Sequence, residues 1–212
     1  GSNAFGNCRQ LRVVNYNATN CLYMASDVWT NCNLFTILNI GDNVTNILSQ
    51  AFFNCSGLTS VVIPNSVTEI GWAAFRYCNG IRTVTIGSSV VEIDNYAFDC
   101  SNLDTIYSYA ENPPSIQYCT FPYGNTSIPV VVACGSDEAY NNARYWSEFT
   151  NIQGKVMYNV IVGSNNNEMG DAVVTQEPVC IDSTAIITAI ANDGYHFVRW
   201  NDGNTDNPRT VH

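Results

Sequence analysis

Lysine is nearly absent from this 212-residue chain: Lys155 is the only one, and the basic residues total 8 against 18 acidic, a net charge of -10. A chain this poor in cations has no basic stripe for phosphates, which excludes nucleic-acid binding through the backbone. It is equally unsuited to docking on anionic lipid. Charged residues of both signs make up only 12% of the chain, about half the usual share. No apolar run approaches the roughly 20 residues of a membrane span, so this segment does not insert into a bilayer. No signal peptide opens the sequence. Histidine is confined to His196 and His212, and no Cys-x-x-Cys pair exists, so a zinc centre lacks ligands. Neither a Gly-x-Ser-x-Gly elbow nor a phosphate loop is present. The pair Asp137/Glu138 reads as first-turn acids of a helix. These absences point to a chain that is not an enzyme and carries no cofactor and no metal.

The residues that are abundant tell more. The chain is 46% hydrophobic, with 28 asparagines and nine cysteines. Five cysteines, Cys8, Cys32, Cys55, Cys78 and Cys100, follow one another at steps of 24, 23, 23 and 22. Each follows an aromatic: Phe5, Trp29, Phe52, Phe75 and Phe98. Three residues after each cysteine come Leu11, Phe35, Leu58, Ile81 and Leu103, and three further on Val14, Leu38, Val61, Val84 and Ile106. Aromatic, Cys and Leu at this spacing share one side of a short helical or 3₁₀ turn. The segment after it alternates with period two, which is a strand. One such unit cannot bury its apolar face alone; stacked units pair their strands in parallel around a continuous core.

The units resemble the BspA-like leucine-rich repeats of bacteria, whose pattern is Ala-Phe-x-x-Cys-x-x-Leu-x-x-Val-x-Ile-Pro-x-Ser-Val-x-x-Ile-Gly. Residues 51–71 match almost completely, 74–94 well and 28–48 loosely. The resemblance implies an α+β leucine-rich-repeat solenoid of parallel strands and short helical turns over residues 1–153. Gly1 to Phe5 look like the interior of another unit, so further repeats are expected upstream. Residues 18–25 depart from the pattern and read as an insertion loop carrying Cys21. Near the end of the array a strand, 128–132, and a helix, Asp137 to Phe149 with Ser136 as its N-cap, read as the terminal cap.

Residues 154–212 form a second, small β-rich module. Tyr158, Val160 and Val162 alternate, 163–170 is a polar turn, and 173–175 and 185–191 read as strands. The run Gly194-Tyr195-His196-Phe197-Val198-Arg199-Trp200-Asn201-Asp202-Gly203 resembles the Listeria–Bacteroides (InlB B-type) repeat. Members continue beyond the Pro-Arg that stands here at 208–209, so the module is expected to be truncated. His196 is read as a structural strand residue. Asp202, Asn204 and Asp206 alternate like the start of a calcium loop, but the following Gly is missing, so a turn is the better reading.

The repeat also assigns the remaining side chains. The aromatic and cysteine positions, Phe5, Cys8, Trp29, Cys32, Phe52, Cys55, Phe75, Cys78, Phe98 and Cys100, form an interior ladder. Equivalent rungs point the same way, so these thiols are free and act as small hydrophobes. Cys21, Cys119, Cys134 and Cys180 lie off the ladder, and a bridge among them is open. Four Asn-x-Ser/Thr triplets, at Asn17, Asn43, Asn54 and Asn125, are explained by composition. If Leu58, Val61 and Ile63 point inward, the exposed columns read Val13, Ile37, Ser60, Thr83, Thr105 and Asn15, Asn39, Val62, Thr85, Tyr107. This uncharged face, ending in Tyr107 and Tyr109, is the candidate binding surface. Both resemblances imply a secreted or surface-anchored bacterial protein. The expected partner is a host extracellular-matrix protein or glycan, met by a monomeric chain; the other reading is a spacer within a larger surface protein.

Overall fold

The computed structural model describes residues 3–19, 21–32, 34–155, 168–176 and 185–211. Two compact units divide the chain, 1–154 and 155–212. The alternation read at Tyr158, Val160 and Val162, most of the 163–170 turn, Cys180 and His212 lie outside the described residues.

The first unit is a solenoid in which each turn contributes three sides. The front carries a pair of parallel strands, Val13–Tyr16 and Ile37–Ile40, and then a five-stranded sheet. That sheet runs Ser60–Val62, Thr83–Ile86, Thr105–Ser108, Val130–Ala133 and Ile152–Lys155 in spatial order. The back carries two-residue strands, Asn46–Ile47, Glu69–Ile70, Glu92–Ile93 and Ser115–Ile116, also parallel. Period-two alternation turns one residue of each back strand inward, and Ile47, Ile70, Ile93 and Ile116 are all buried. Gly80 sits where the chain swings back to the front. A Cβ there would come within 2.3 Å of the Ser56 carbonyl oxygen and 2.4 Å of that of Leu58.

The third side holds the Phe-x-x-Cys segment and has its own hydrogen-bond pattern. Within a turn, Ala51 N–H bonds to Leu48 O, Phe53 to Gln50 O and Cys55 to Phe52 O, the i to i−3 bonds of the anticipated helical turn. Between turns, Gln50, Phe52 and Asn54 donate instead to the carbonyls of Trp72, Ala74 and Arg76. The next turn repeats this, with Ala73, Phe75 and Tyr77 donating to Asn95, Ala97 and Asp99. Sending alternate N–H groups along the solenoid axis requires left-handed backbone at non-glycine residues: φ is 59° at Gln50, 60° at Asn54, 53° at Ala73, 62° at Tyr77 and 59° at Tyr96. Each costs about 1–2 kcal/mol, offset by an inter-turn hydrogen bond and by the ring it places in the core.

Those rings form one stack. Phe5, Trp29, Phe52, Phe75, Phe98 and Phe121 follow one another at centroid distances of 5.0, 6.1, 5.1, 5.3 and 5.7 Å, with interplanar angles of 5 to 17°. Trp146 ends it, tilted 55° against Phe121, its indole N–H donating to Pro114 O at 2.8 Å. The cysteines line the same side, and three of the four buried thiols have an inter-turn partner that sequence reasoning missed. Cys32 donates to Phe5 O, Cys78 to Phe52 O and Cys100 to Phe75 O, all at 3.0–3.1 Å. Each of these three thiols thus hydrogen-bonds the aromatic residue one turn earlier, whereas Cys55 reaches Phe53 O of its own turn, at 4.0 Å. Burial pushes the Cys78 and Cys100 thiols well above the ordinary range.

Several expectations need correction. Phe5 is 48% exposed and Cys8 is exposed, so neither is interior. Phe5 stacks on Trp29 with one face, and no described turn covers the other. The cap helix spans only Asp137–Asn142, followed by a 3₁₀ turn at Trp146–Glu148. Tyr145, at φ 66°, breaks the run so that Trp146 can enter the core. Ser136 makes no side-chain cap bond, because its backbone is already helical. Among the off-ladder cysteines, whose bridging the sequence leaves open, Cys134 is disulfide-bonded, whereas Cys21 and Cys119 are free. In the second unit, Gly170–Gln176 and Arg209–Val211 flank Ala185–Ala191 in an antiparallel sheet. The Tyr195–Trp200 run is not a strand, and His196 is exposed. Phe197 packs on Trp200, whose indole bonds Asp206 O.

Two outcomes follow for the core. Phe75→Ala removes the middle ring of the stack and should destabilise the solenoid by about 3–5 kcal/mol, read as a shift in denaturant midpoint. Alkylation of the folded protein near pH 8 should modify Cys8 and Cys21 readily and Cys78 and Cys100 only on unfolding. Peptide mapping by mass spectrometry checks this, and equal labelling of all four would contradict the buried ladder.

Candidate functional site

The front sheet fixes the candidate surface by register. Val13 pairs with Ile37, and Ser60 with Thr83 and Thr105. Asn15 pairs with Asn39, and Val62 with Thr85, Tyr107 and then Val131. Because a strand's side chains alternate, burying Val61, Val84 and Ile106 turns both columns outward. Val62 is 59% exposed, Ile37 50%, Tyr109 38% and Tyr107 36%. Ser60 and Asn39 are exposed, and Thr83, Thr85 and Thr105 are half-buried against their cross-strand neighbours. Asn39 donates from Nδ2 to Asn15 Oδ1 at 2.8 Å, so those two amides form a rung. The front strands divide after Ile40 into separate sheets, so Ile37 and Asn39 lie on a different sheet from the other seven candidates.

No charged side chain stands in either column. The nearest ion pair along the strands' entry edge is Arg82 to Asp104 at 3.2 Å, and it is solvent-exposed, so it adds little stability. Beneath the C-terminal end of the sheet a buried polar knot anchors the cap. Ser108 and Tyr140 hydroxyls lie 2.6 Å apart, and Tyr140 donates to Ala110 O at 3.0 Å. Burial pushes the Tyr140 hydroxyl up to about 12, an effect the Ser108 bond partly opposes. It is therefore a fixed neutral donor over the whole physiological range. Ser108 stands where the repeat has an inward Ile, as Ile86 does one turn earlier, and the Tyr140 hydroxyl is the reason.

Nothing in this arrangement announces chemistry. No group of three or more His, Cys, Asp or Glu positioned for a metal occurs among the described residues. Asp202 is held below the ordinary carboxylate range, chiefly by Arg209, which bonds both its oxygens at 2.8–2.9 Å. Its oxygen also takes the Asn204 N–H, the geometry of the turn reading. Among the described residues no helix is long and apolar enough to cross a membrane.

No curated protein matches the chain. Residues 160–212 match the divergent InlB B-repeat domain. Residues 1–104 and 22–136 match the BspA type leucine rich repeat region, in six copies. Both kinds of domain are typical of surface and secreted proteins, where they serve as binding or structural modules. The regular turns, the aromatic and cysteine positions and this match agree: the chain belongs to the BspA-type leucine-rich-repeat family.

Proposed function

We propose that the chain is a non-enzymatic recognition segment of a bacterial surface or secreted protein, acting as a monomer. It adheres to host extracellular proteins or glycans through the front strands of the solenoid. The observation that carries this reading is the face itself. Ser60, Thr83, Thr85 and Thr105 supply hydroxyls, Val62 and Ile37 supply apolar contact, and Tyr107, on the middle strand of the five, and Tyr109 just after it add two exposed phenol rings. Tyrosine offers a large amphipathic contact at low entropic cost and is enriched among residues that dominate binding energy. A flat, uncharged sheet bears no desolvation penalty for ions when a partner covers it. It is also compatible with the strong negative charge of the chain, which keeps the rest of the surface solvated.

A spacer role is favoured by a different observation. From Phe52 to Phe121 the ring stack and the inter-turn hydrogen bonds run on without a break, which suits this stretch to holding another domain away from a surface.

Capture on immobilised extracellular-matrix proteins and a glycan array separates the two. Tyr107→Ala combined with Thr85→Arg should weaken any specific capture by about thirtyfold or more while leaving the melting temperature unchanged. A folded protein that captures nothing, or captures equally well as the double variant, would favour the spacer.

A further inference from the structure

A cleft of about 270 Å³ opens where the array meets its cap, between the segment carrying Tyr118 and Tyr123 and the one carrying Tyr145 and Glu148. Its floor is the end of the core: Phe121 is buried, and Phe149 meets it edge to face at 5.8 Å. Tyr118 and Tyr123, 50% and 72% exposed, pack T-shaped at 5.2 Å, and Tyr145 lies 6.0 Å from Tyr118. Tyr145 is half-buried against the core, but core packing does not account for Tyr118 and Tyr123 at a solvent-open edge beside it. Gln117 and Asn125 bring amides to the same lining and Glu148 a carboxylate. The Tyr118 hydroxyl is pushed up to about 12, first by its hydrogen bond with Tyr123 and then by desolvation, with the Tyr123 and Glu148 charges adding.

We propose that this cleft is a carbohydrate site that takes one neutral pyranose ring. A pyranose presents an apolar C–H face and a girdle of hydroxyls that need both donors and acceptors. Tyrosine rings match the first, and amides, phenols and a carboxylate match the second. The volume lies just below the range of pockets for drug-sized ligands, which suits a single small ring. Acidic sugars are excluded by the Glu148 carboxylate. The nearby cation is already engaged: Arg144 lies 4.7 Å over the Tyr145 ring and donates to its hydroxyl at 2.9 Å. A quaternary ammonium would need ring faces converging on an open centre. Here the T-shaped contact between Tyr118 and Tyr123 closes the space between those rings. The site belongs to the cap and is independent of the front strands.

Saturation-transfer NMR of the whole chain with methyl α-glucopyranoside, methyl β-galactopyranoside and N-acetylglucosamine tests this. Transfer to the ring C–H protons of at least one is expected. Its titration should weaken about tenfold in Tyr123→Ala and in Tyr118→Ala. Tyr107→Ala, on the front face, should leave it unchanged, so failure here is separable from failure of the front-face reading. Tyr123 is mostly exposed, and an unaltered melting temperature would verify that its variant is folded. The proposal is overturned by silence from all three sugars, by a response indifferent to both tyrosine variants, or by tighter binding of tetramethylammonium or glucuronate than of the neutral glycosides.

Discussion

Neighbouring turns of a parallel ladder lie about 4.8 Å apart, and that single spacing decides what the interior of this solenoid can contain. Flat rings fit it, because their stacking distance is close to it. From Phe52 to Phe121 the centroids follow one another at 5.1–5.7 Å in nearly parallel planes. Branched aliphatics fit it on the front and back, one per turn. A cysteine fits beside the rings because its small sulfur reaches the preceding turn's carbonyl without separating the turns. Ala in its place would leave the carbonyl's second lone pair empty.

Much of this was legible in the sequence because repetition multiplies a weak signal. One Phe-x-x-Cys means little; repeated at steps of 22 to 24 it states a turn length. Strand alternation then allowed both outward columns to be written down residue by residue. What stayed hidden was set by backbone and not by side-chain type. Ala73, Tyr77 and Tyr96 adopt left-handed φ with no glycine to advertise it. The inter-turn bonds reward that conformation, and no local propensity does. The thiol bonds were invisible for a related reason, since the acceptor lies on another turn, 25 to 27 residues away. Phe5 and Cys8 obey the pattern, but no described turn covers them, and pattern does not encode cover. The cap cleft joins Tyr118 and Tyr123 to Tyr145 through a break in a helix that the recurrence of Tyr140, Ala143 and Trp146 at every third position extended to Phe149.

The two proposed surfaces of the solenoid would recognise their ligands in different ways. The front strands offer breadth: small hydroxyls and β-branched groups on a sheet, with affinity available only to a partner that covers many of them. The cap offers depth: a few aromatic and amide groups around a small volume. An extended protein suits the first and a single ring the second. Both stand on the same inner stack, the front strands through Val84 and Ile106 and the cleft through Phe121, so stiffness in the core is shared by each.

The third side has an electrostatic consequence. In ordinary strands successive peptide dipoles point in opposite directions across the sheet and nearly cancel. Here the peptide linking Ala74 and Phe75 accepts from Phe52 and donates to Ala97, and the next, Ala97–Phe98, donates to Thr120. The linkages Trp72–Ala73 and Arg76–Tyr77 run the same way. Each turn therefore adds aligned dipoles to its neighbours, as successive turns of an α-helix do. The solenoid has a polarity along its axis, amide-positive toward the cap, that lengthens with every repeat. Its two ends are electrically unlike even though the turns between them share one pattern.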